Sequence, residues 1–325
     1  MDWTILDRLR SHFIGGPGAK GPYWRGEEDL AQYNATFGER IGWKWDTVLG
    51  ELGIRGWSPP SGPLLDWGCG SGIAGRRIAS KWPTLTRPLL VSDHSPQAMS
   101  FAVKKATEQG MPASAWQPGA PFSTLAISHV LNELAEDQLK SLLACIEVAD
   151  AVIWVEPGTH AVSRQLASIR DLLVRQGRVR IIAPCTHGNA CPLFSKGSER
   201  HWCHQFASPP AGIYADSAWV KFGQRAGIDL RSLPYAVLVM DRRPAGGEAP
   251  LPKTSARRIG RVDALKTGAR WLQCSASGLE EVHVAKRDNP ALVKALEKRP
   301  GLPLIAGDTD DSGRTTYREL HPSRQ

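Results

Sequence analysis

Between Pro63 and Cys185, short apolar runs alternate with stretches of helical periodicity, and this alternation constrains the fold more than any other feature of the chain. "PLLDWGCGSG" reads as a strand running into a glycine turn, "IAGRRIASKW" as a helix, and "RPLLVSDHS" as a second strand. "PQAMSFAVKKATEQG" is a second helix with proline in its first turn, where the missing N–H costs nothing. "STLAISHVLNEL", "DAVIWVEPG" and "GRVRIIAPC" add strands, separated by helices in "DQLKSLLACIEVA" and near 161–176. Strands alternating with helices imply a parallel, doubly wound α/β sheet. "YAVLVMDRR" (235–243) would return to that sheet as a late strand.

The flanks differ. Residues 1–60 read as helical, with Leu30, Tyr33, Phe37, Ile41 and Trp45 at helical spacing before the linker "RGWSPPSGP". The expected regions are a helical 1–60, an α/β domain 61–243 with a cysteine-rich insert 184–206, a basic region 244–305, and a flexible tail 306–325. "PAGGEAPLPKTSA" (244–256) reads as a linker, and "RWLQCSASGLEEVHVAKRD" as a β-hairpin turning near Ser277-Gly278.

The longest apolar runs are too short to span a bilayer, and "MDWTILDRLRSHF" lacks the apolar core of a secretory signal. A cytosolic setting follows, in which cysteines are free thiols or metal ligands rather than disulfides. Charge is uneven. Residues 1–150 hold 14 Lys and Arg against 16 Asp and Glu, whereas 151–325 hold 26 against 16. The basic second part suggests an anionic partner such as RNA, with Lys253, Arg257, Arg258, Arg261 and Lys266 as candidate phosphate contacts.

Gly68, Gly70 and Gly72 follow the first strand directly, with Cys69 between the first two. Glycine permits a tight turn and close backbone approach, and the next helix offers free N–H groups to a ligand. Asp66 precedes the turn, and Asp93, followed by His94, ends the next strand, where a carboxylate can accept ribose hydroxyls. The G-x-G-x-G spacing departs from the dinucleotide pattern. It resembles the first two motifs of class I S-adenosylmethionine-dependent methyltransferases, which implies that Asp66 orients the amino-acid part of the cofactor and Asp93 its ribose. After the next strand, "SHVLNEL" offers only His129, Asn132 and Glu133 as catalytic candidates, and Asn132 and Glu133 can equally begin a helix.

Three of the six cysteines fall within "APCTHGNACPLFSKGSERHWCHQF": Cys185, Cys191 and Cys203. Cys274 lies near the later hairpin turn, Cys69 in the glycine turn, and Cys145 on an apolar helix face. Four thiolates suit zinc or an iron–sulfur cluster in number, and His187, His201 and His204 keep a mixed Cys/His zinc site open. A nucleophilic role for Cys185, as in RNA cytosine-5 methyltransferases, is disfavoured because Pro184-Cys185 comes about two strands too late. An insert with little hydrophobic pattern cannot order itself by burial, and metal ligation would supply the missing free energy.

The ordered set "LLDWGCGSG", "SHVLNEL", "VIWVEPGT", "IIAPCTHGNACPL" and "HWCHQF" resembles the Rsm-twenty-two-type family of ribosomal small-subunit methyltransferase-like proteins, over roughly residues 25–290. The resemblance implies a class I methyltransferase (Rossmann-like) fold with a metal-binding insert and a small C-terminal β element. It implies S-adenosylmethionine binding and association with the small ribosomal subunit through rRNA. It also implies a [4Fe-4S] cluster on Cys185, Cys191, Cys203 and Cys274, with zinc as the alternative. The chain is expected to be a monomeric, cytoplasmic bacterial member. Two other functions compete: an active RNA methyltransferase, and a small-molecule methyltransferase with structural zinc.

Overall fold

The computed structural model describes residues 1–15, 23–246, 251–298, 304–310 and 315–320. Residues 247–250 of the expected linker, and 311–314 and 321–325 of the expected tail, lie outside the described residues. Contacts group the chain into two units: Met1–Leu49 with Ser58–Glu156 and Ser208–Leu233, and Gly50–Trp57 with Pro157–Ala207 and Pro234–Gln325. The grouping is not the sequential one that composition suggests, because the α/β domain contributes to both.

The first unit begins with α1 (Trp3–Gly15), α2 (Glu27–Tyr33) and the start of α3 (Glu39–Ile54), joined by a π-helical turn at Asn34–Gly38. That turn explains the apolar spacing. Steps of four residues overshoot a 3.6-residue turn, and one wide turn absorbs the drift. Then come β1 (Gly62–Trp67), α4 (Ile73–Lys81), β2 (Thr86–Ser92), α5 (Pro96–Glu108), β3 (Ala113–Ala115), β4 (Thr124–Ser128), α6 (Glu136–Val148) and β5 (Ala151–Pro157). The order is β3-β2-β1-β4-β5, with every pair parallel. Leu64 and Leu65 of β1, Leu125 to Ile127 of β4 and Ile153 to Val155 of β5 are fully buried, as strands covered on both faces must be.

The second unit carries α7 (His160–Arg175), β6 (Arg180–Ala183) and β7 (Gln205–Ala207). After α8 (Ser217–Ala226) of the first unit comes β8 (Leu233–Asp241), which pairs with β6 antiparallel and also with β7. The late strand thus forms where expected, and its pairing with β6 is antiparallel rather than parallel.

The C-terminal element is larger than a hairpin. Strands β9 (Ser255–Leu265), β10 (Gly268–Ser275) and β11 (Gly278–Ala285), helix α9 (Pro290–Lys298), and strands β12 (Leu304–Thr309) and β13 (Thr315–Glu319) form an antiparallel sheet ordered β11-β10-β9-β12-β13. The turn between Ser275 and Gly278 falls where the sequence placed it. Trp271, Val282, Val293 and Ile305 pack in its core, so residues read as part of a flexible tail are strands. An isolated hairpin is marginal in water, and four further elements supply the apolar face it lacks.

Candidate functional site

The glycine turn closes on the end of β2. Gly68 and Cys69 donate to Ser92 O at 2.8 and 3.0 Å, and Gly70 N donates to Asp93 Oδ2 at 2.9 Å. Asp93 Oδ1 accepts from Ser95 N at 2.9 Å. Gly68 sits at φ +69°, and a Cβ there would lie 2.6 Å from Val130 Cγ1. Gly70, at φ +51°, has open space on that side. One glycine is thus needed for packing beneath the turn, and the other presents bare backbone.

The turn faces a cavity of about 700 Å³. Gly68, Cys69, Gly70, Asp93 and His94 line it on one side, His129 and Glu133 on another, and Tyr23, Trp24 and Tyr33 also contribute. Asp66 does not reach it. Its carboxylate is fully buried and accepts from Gly75 N at 2.9 Å, while its other oxygen has no protein partner. Burial pushes its pKa up to about 7. The residue expected to orient a ligand instead holds the first turn of α4. Gly72 and Asn132 also lie outside the lining.

His129 is the one described non-glycine residue with positive φ, at +57°. Such strain persists only where neighbours enforce it. His129 N donates to Val155 O at 2.9 Å, and Val130 and Leu131 N–H groups donate to Glu156 Oε1 at 3.2 and 3.1 Å. Trp154 Nε1 donates to the same oxygen at 2.7 Å. His129 Nε2 lies 3.0 Å from Lys44 Nζ. Burial, with Arg40 nearby, pushes the lysine down to about 7; burial, with Lys44 and Arg40, pushes the histidine well below its usual value. The ring therefore stays neutral at neutral pH. Sequence reading missed Lys44, whose helical stretch carries no local mark of chemistry.

In the second unit, Cys185, Cys191 and Cys203 line one small cavity of about 30 Å³. Cys274 Sγ lies 3.7 Å from His187 Nε2. Burial pushes the Cys191, Cys203 and Cys274 thiols up, to about 11 and about 12 in the first two, and Cys185 raises all three further by its charge. Cys185, Cys191 and Cys203 are thus neighbours at that cavity, Cys274 lies beside His187, and all four are free thiols. Yet among the described residues no group of three or more His, Cys, Asp or Glu side chains is gathered to hold a metal ion. Four sulfurs on one zinc would stand roughly 3.8 Å apart, from Zn–S bonds near 2.3 Å. A ready-made metal site is thus not present, and His201 and His204 face other partners: Arg200 Nε lies 3.1 Å from His201 Nε2, and His204 stacks on Trp202.

The insert is ordered by side chains of α7. Arg164 Nη1 donates to the carbonyls of Leu193, Ser198 and His201, and Arg170 to those of His187 and Asn189. Asp171 accepts from Cys191 N at 3.0 and 3.1 Å. These charge-assisted bonds satisfy backbone that has no secondary structure to satisfy it, so side chains of α7 supply order that the sequence reading assigned to metal.

Two of the five expected RNA contacts are buried. Arg257 (1% exposed) donates to both oxygens of Glu51 at 2.7 and 2.9 Å and to Pro184 O at 3.1 Å. Arg258 (4% exposed) faces Glu319 at 3.5 Å. Successive side chains on a strand point to opposite faces, so one of a basic pair is exposed where a strand is half-covered; here both faces of β9 are covered at that point. Lys253, Arg261 and Lys266 are exposed. Arg55 completes the network, donating to Glu51 and to the carbonyls of Ile182, Pro184 and Cys185.

A parallel β3-β2-β1-β4-β5 sheet with a glycine turn opening on a cavity defines the class: a Rossmann-like α/β fold. Residues 52–211 match the family model described as mitochondrial small ribosomal subunit Rsm22. No curated protein matches the chain. Solved structures that resemble it include the plantazolicin methyltransferase BamL with an analogue and SAH (12% identity, 74% of this chain and 100% of that one, TM-score 0.42). Magnesium protoporphyrin IX methyltransferase from Synechocystis PCC 6803 with bound SAM is similar at 15% identity over 74% and 96% of the two chains, TM-score 0.41. The ribosomal protein L11 methylase of Lactobacillus delbrueckii subsp. bulgaricus is similar at 21% identity over 41% and 68%, TM-score 0.31.

Proposed function

We propose that this is a methyltransferase-like protein that binds S-adenosylmethionine in its first unit and a [4Fe-4S] cluster in its second, and that it serves small-ribosomal-subunit assembly or translation through rRNA. The observation that carries the reading is that Cys185, Cys191 and Cys203 line one small cavity within the stretch that matches the Rsm22 model, with Cys274 beside His187 of the same stretch. No helix among the described residues is long and apolar enough to cross a membrane. On this reading the protein works in the cytoplasm.

The residues suit both groups. Asp93 keeps acceptor capacity beyond its bonds to Gly70 and Ser95, since a carboxylate offers about four lone-pair sites. Gly70 leaves room for a ligand against the backbone. When bound, S-adenosylmethionine supplies an activated methyl group. The cysteines supply four sulfur donors, and a cluster of several atoms needs thiolates farther apart than one zinc ion does. When bound, the cluster supplies a rigid inorganic tie between the insert and β10. Arg55 and Arg257 hold the carbonyls of residues 182–185 and so fix the backbone that presents Cys185.

Iron and sulfide analysis of anaerobically purified protein tests the cluster. About four of each per chain is expected; one zinc and no iron overturns it and favours the small-molecule enzyme. Co-sedimentation with small ribosomal subunits tests the partner. A second reading, an active RNA methyltransferase, is favoured by one observation, the enforced conformation of His129 beside Lys44 at the cavity. On that reading Glu133, whose pKa burial raises to about 7, is the group at the cavity wall suited to accept a proton, and neutral His129 positions the acceptor by hydrogen bonding. Transfer of label to small-subunit RNA that vanishes in Asp93→Ala supports it.

A further inference from the structure

The "HWCHQF" run does more than present Cys203. It alternates with period two, as an extended strand does. Cys203 faces the small cavity, and Gln205 and Ala207 are buried at 2% and 0% exposure. Trp202, His204 and Phe206 point the other way and are half-buried. Those three rings form a ladder. Trp202 and His204 stack with centroids 4.4 Å apart and planes 11° from parallel, and Phe206 meets His204 at 5.4 Å. The exposed His160 meets the far edge of Trp202 at 5.4 Å.

The neighbouring strand bends to complete it. Between Arg270↔Asp263 and Leu272↔Ile259 the register of β10 on β9 slips, so residues 260–262 oppose Trp271 alone. Bulges of this kind re-aim a side chain. Gly260 takes φ +71° and donates from N to His204 O at 2.8 Å, and a Cβ on it would crowd the His204 ring at 3.2 Å. The result places the Arg261 guanidinium 4.4 Å from the centroid of Phe206. Exposed Lys196 and Arg200 belong to the same loop as the rings.

We propose that Trp202, His204, Phe206 and Arg261 form a stacking platform for single-stranded RNA. Rings in a row with a planar cation at one end match the demands of unpaired bases, which stack on any π-face, while nearby cations track the phosphates. The excess of Lys and Arg over Asp and Glu in residues 151–325 supplies the complementary charge. The proposal rests on the rRNA reading above and names the face of the molecule that meets the RNA.

The test uses full-length, anaerobically purified protein and a fluorescein-labelled single-stranded fragment of small-subunit rRNA, read by anisotropy. Phe206→Leu and Trp202→Leu keep apolar bulk, and Arg261→Lys keeps charge while losing the planar fork. Each is expected to weaken binding about 5- to 100-fold, the range for losing one stacked base, with thermal midpoint and iron content unchanged. A 4-thiouridine probe is expected to crosslink within residues 200–207. Unchanged affinity in all three variants, or crosslinks confined elsewhere while the wild type binds, overturns the platform and leaves the rRNA reading standing. Failure of the wild-type protein to bind any small-subunit RNA overturns both. Equal affinity for a duplex of the same length, or for an acidic peptide in its place, also overturns the platform.

Discussion

The two units hold their sites by opposite means. In the first, the backbone does the work: a turn of glycines, a carboxylate that accepts from Gly70 N, and a cavity left open beside it. In the second, side chains do it. Arg164, Arg170 and Asp171 bind the backbone of the insert, two buried arginines share Glu51, and three cysteines line one small cavity. A backbone site needs little beyond a permitted φ and a strand end. A side-chain site needs charge neutralised and every buried polar group partnered, so its failures should be larger and more global.

The sharpest contrast is expected at Glu51. Glu51→Leu leaves Arg55 and Arg257 buried and unpaired, which costs about 3–5 kcal/mol, read as a fall in the urea midpoint. A loss below about 1 kcal/mol would break the comparison, because the network would then be incidental. In the first unit, Asp93→Ala is expected to weaken S-adenosylhomocysteine binding by roughly 10- to 100-fold, the scale of a lost charge-assisted bond, with little change in stability. Titration calorimetry checks it, and equal binding removes Asp93 from the site.

A pH scan sharpens the comparison further. Asp66 has its folded pKa raised from 3.8 to about 7, so the folded state binds a proton that the unfolded state releases. Its contribution to stability is full below about pH 4 and is lost as pH rises to about 7. Asp66→Asn should remove that part of the slope. Glu156, also raised to about 7 by burial, leaves a remainder. A slope unchanged in Asp66→Asn would mean that the carboxylate is solvated. The smallest effects concern single thiols. Cys274→Ser should increase proteolysis of the C-terminal sheet more than Cys145→Ser does, since Cys145 has no thiol neighbour among its perturbing groups. Equal cleavage of both would sink the tie between the insert and β10.

Much of this was legible in the amino acids. Alternating apolar runs gave the parallel strands, because a strand buried on both faces must be continuously apolar. Gly68 to Gly72 marked a tight turn after β1, because glycine alone readily takes positive φ beside a close packing partner. The turn at Ser275 to Gly278 was also readable. Arg257 and Arg258 were not, since a basic pair looks the same whether solvated or buried.

What the sequence determined by itself is therefore local: periodicity, turn chemistry, and which residue types were on hand. Tertiary structure alone decided that Lys44 meets His129 across 85 residues and that Arg257 meets Glu51 across 206. It also decided that Asp66 serves α4 rather than the cavity, and that a bulge in β9 turns Arg261 onto Phe206. The physical reason is that periodicity and φ preference act within a few residues, whereas the partner of a buried charge is selected only when the folded chain brings it within hydrogen-bond reach.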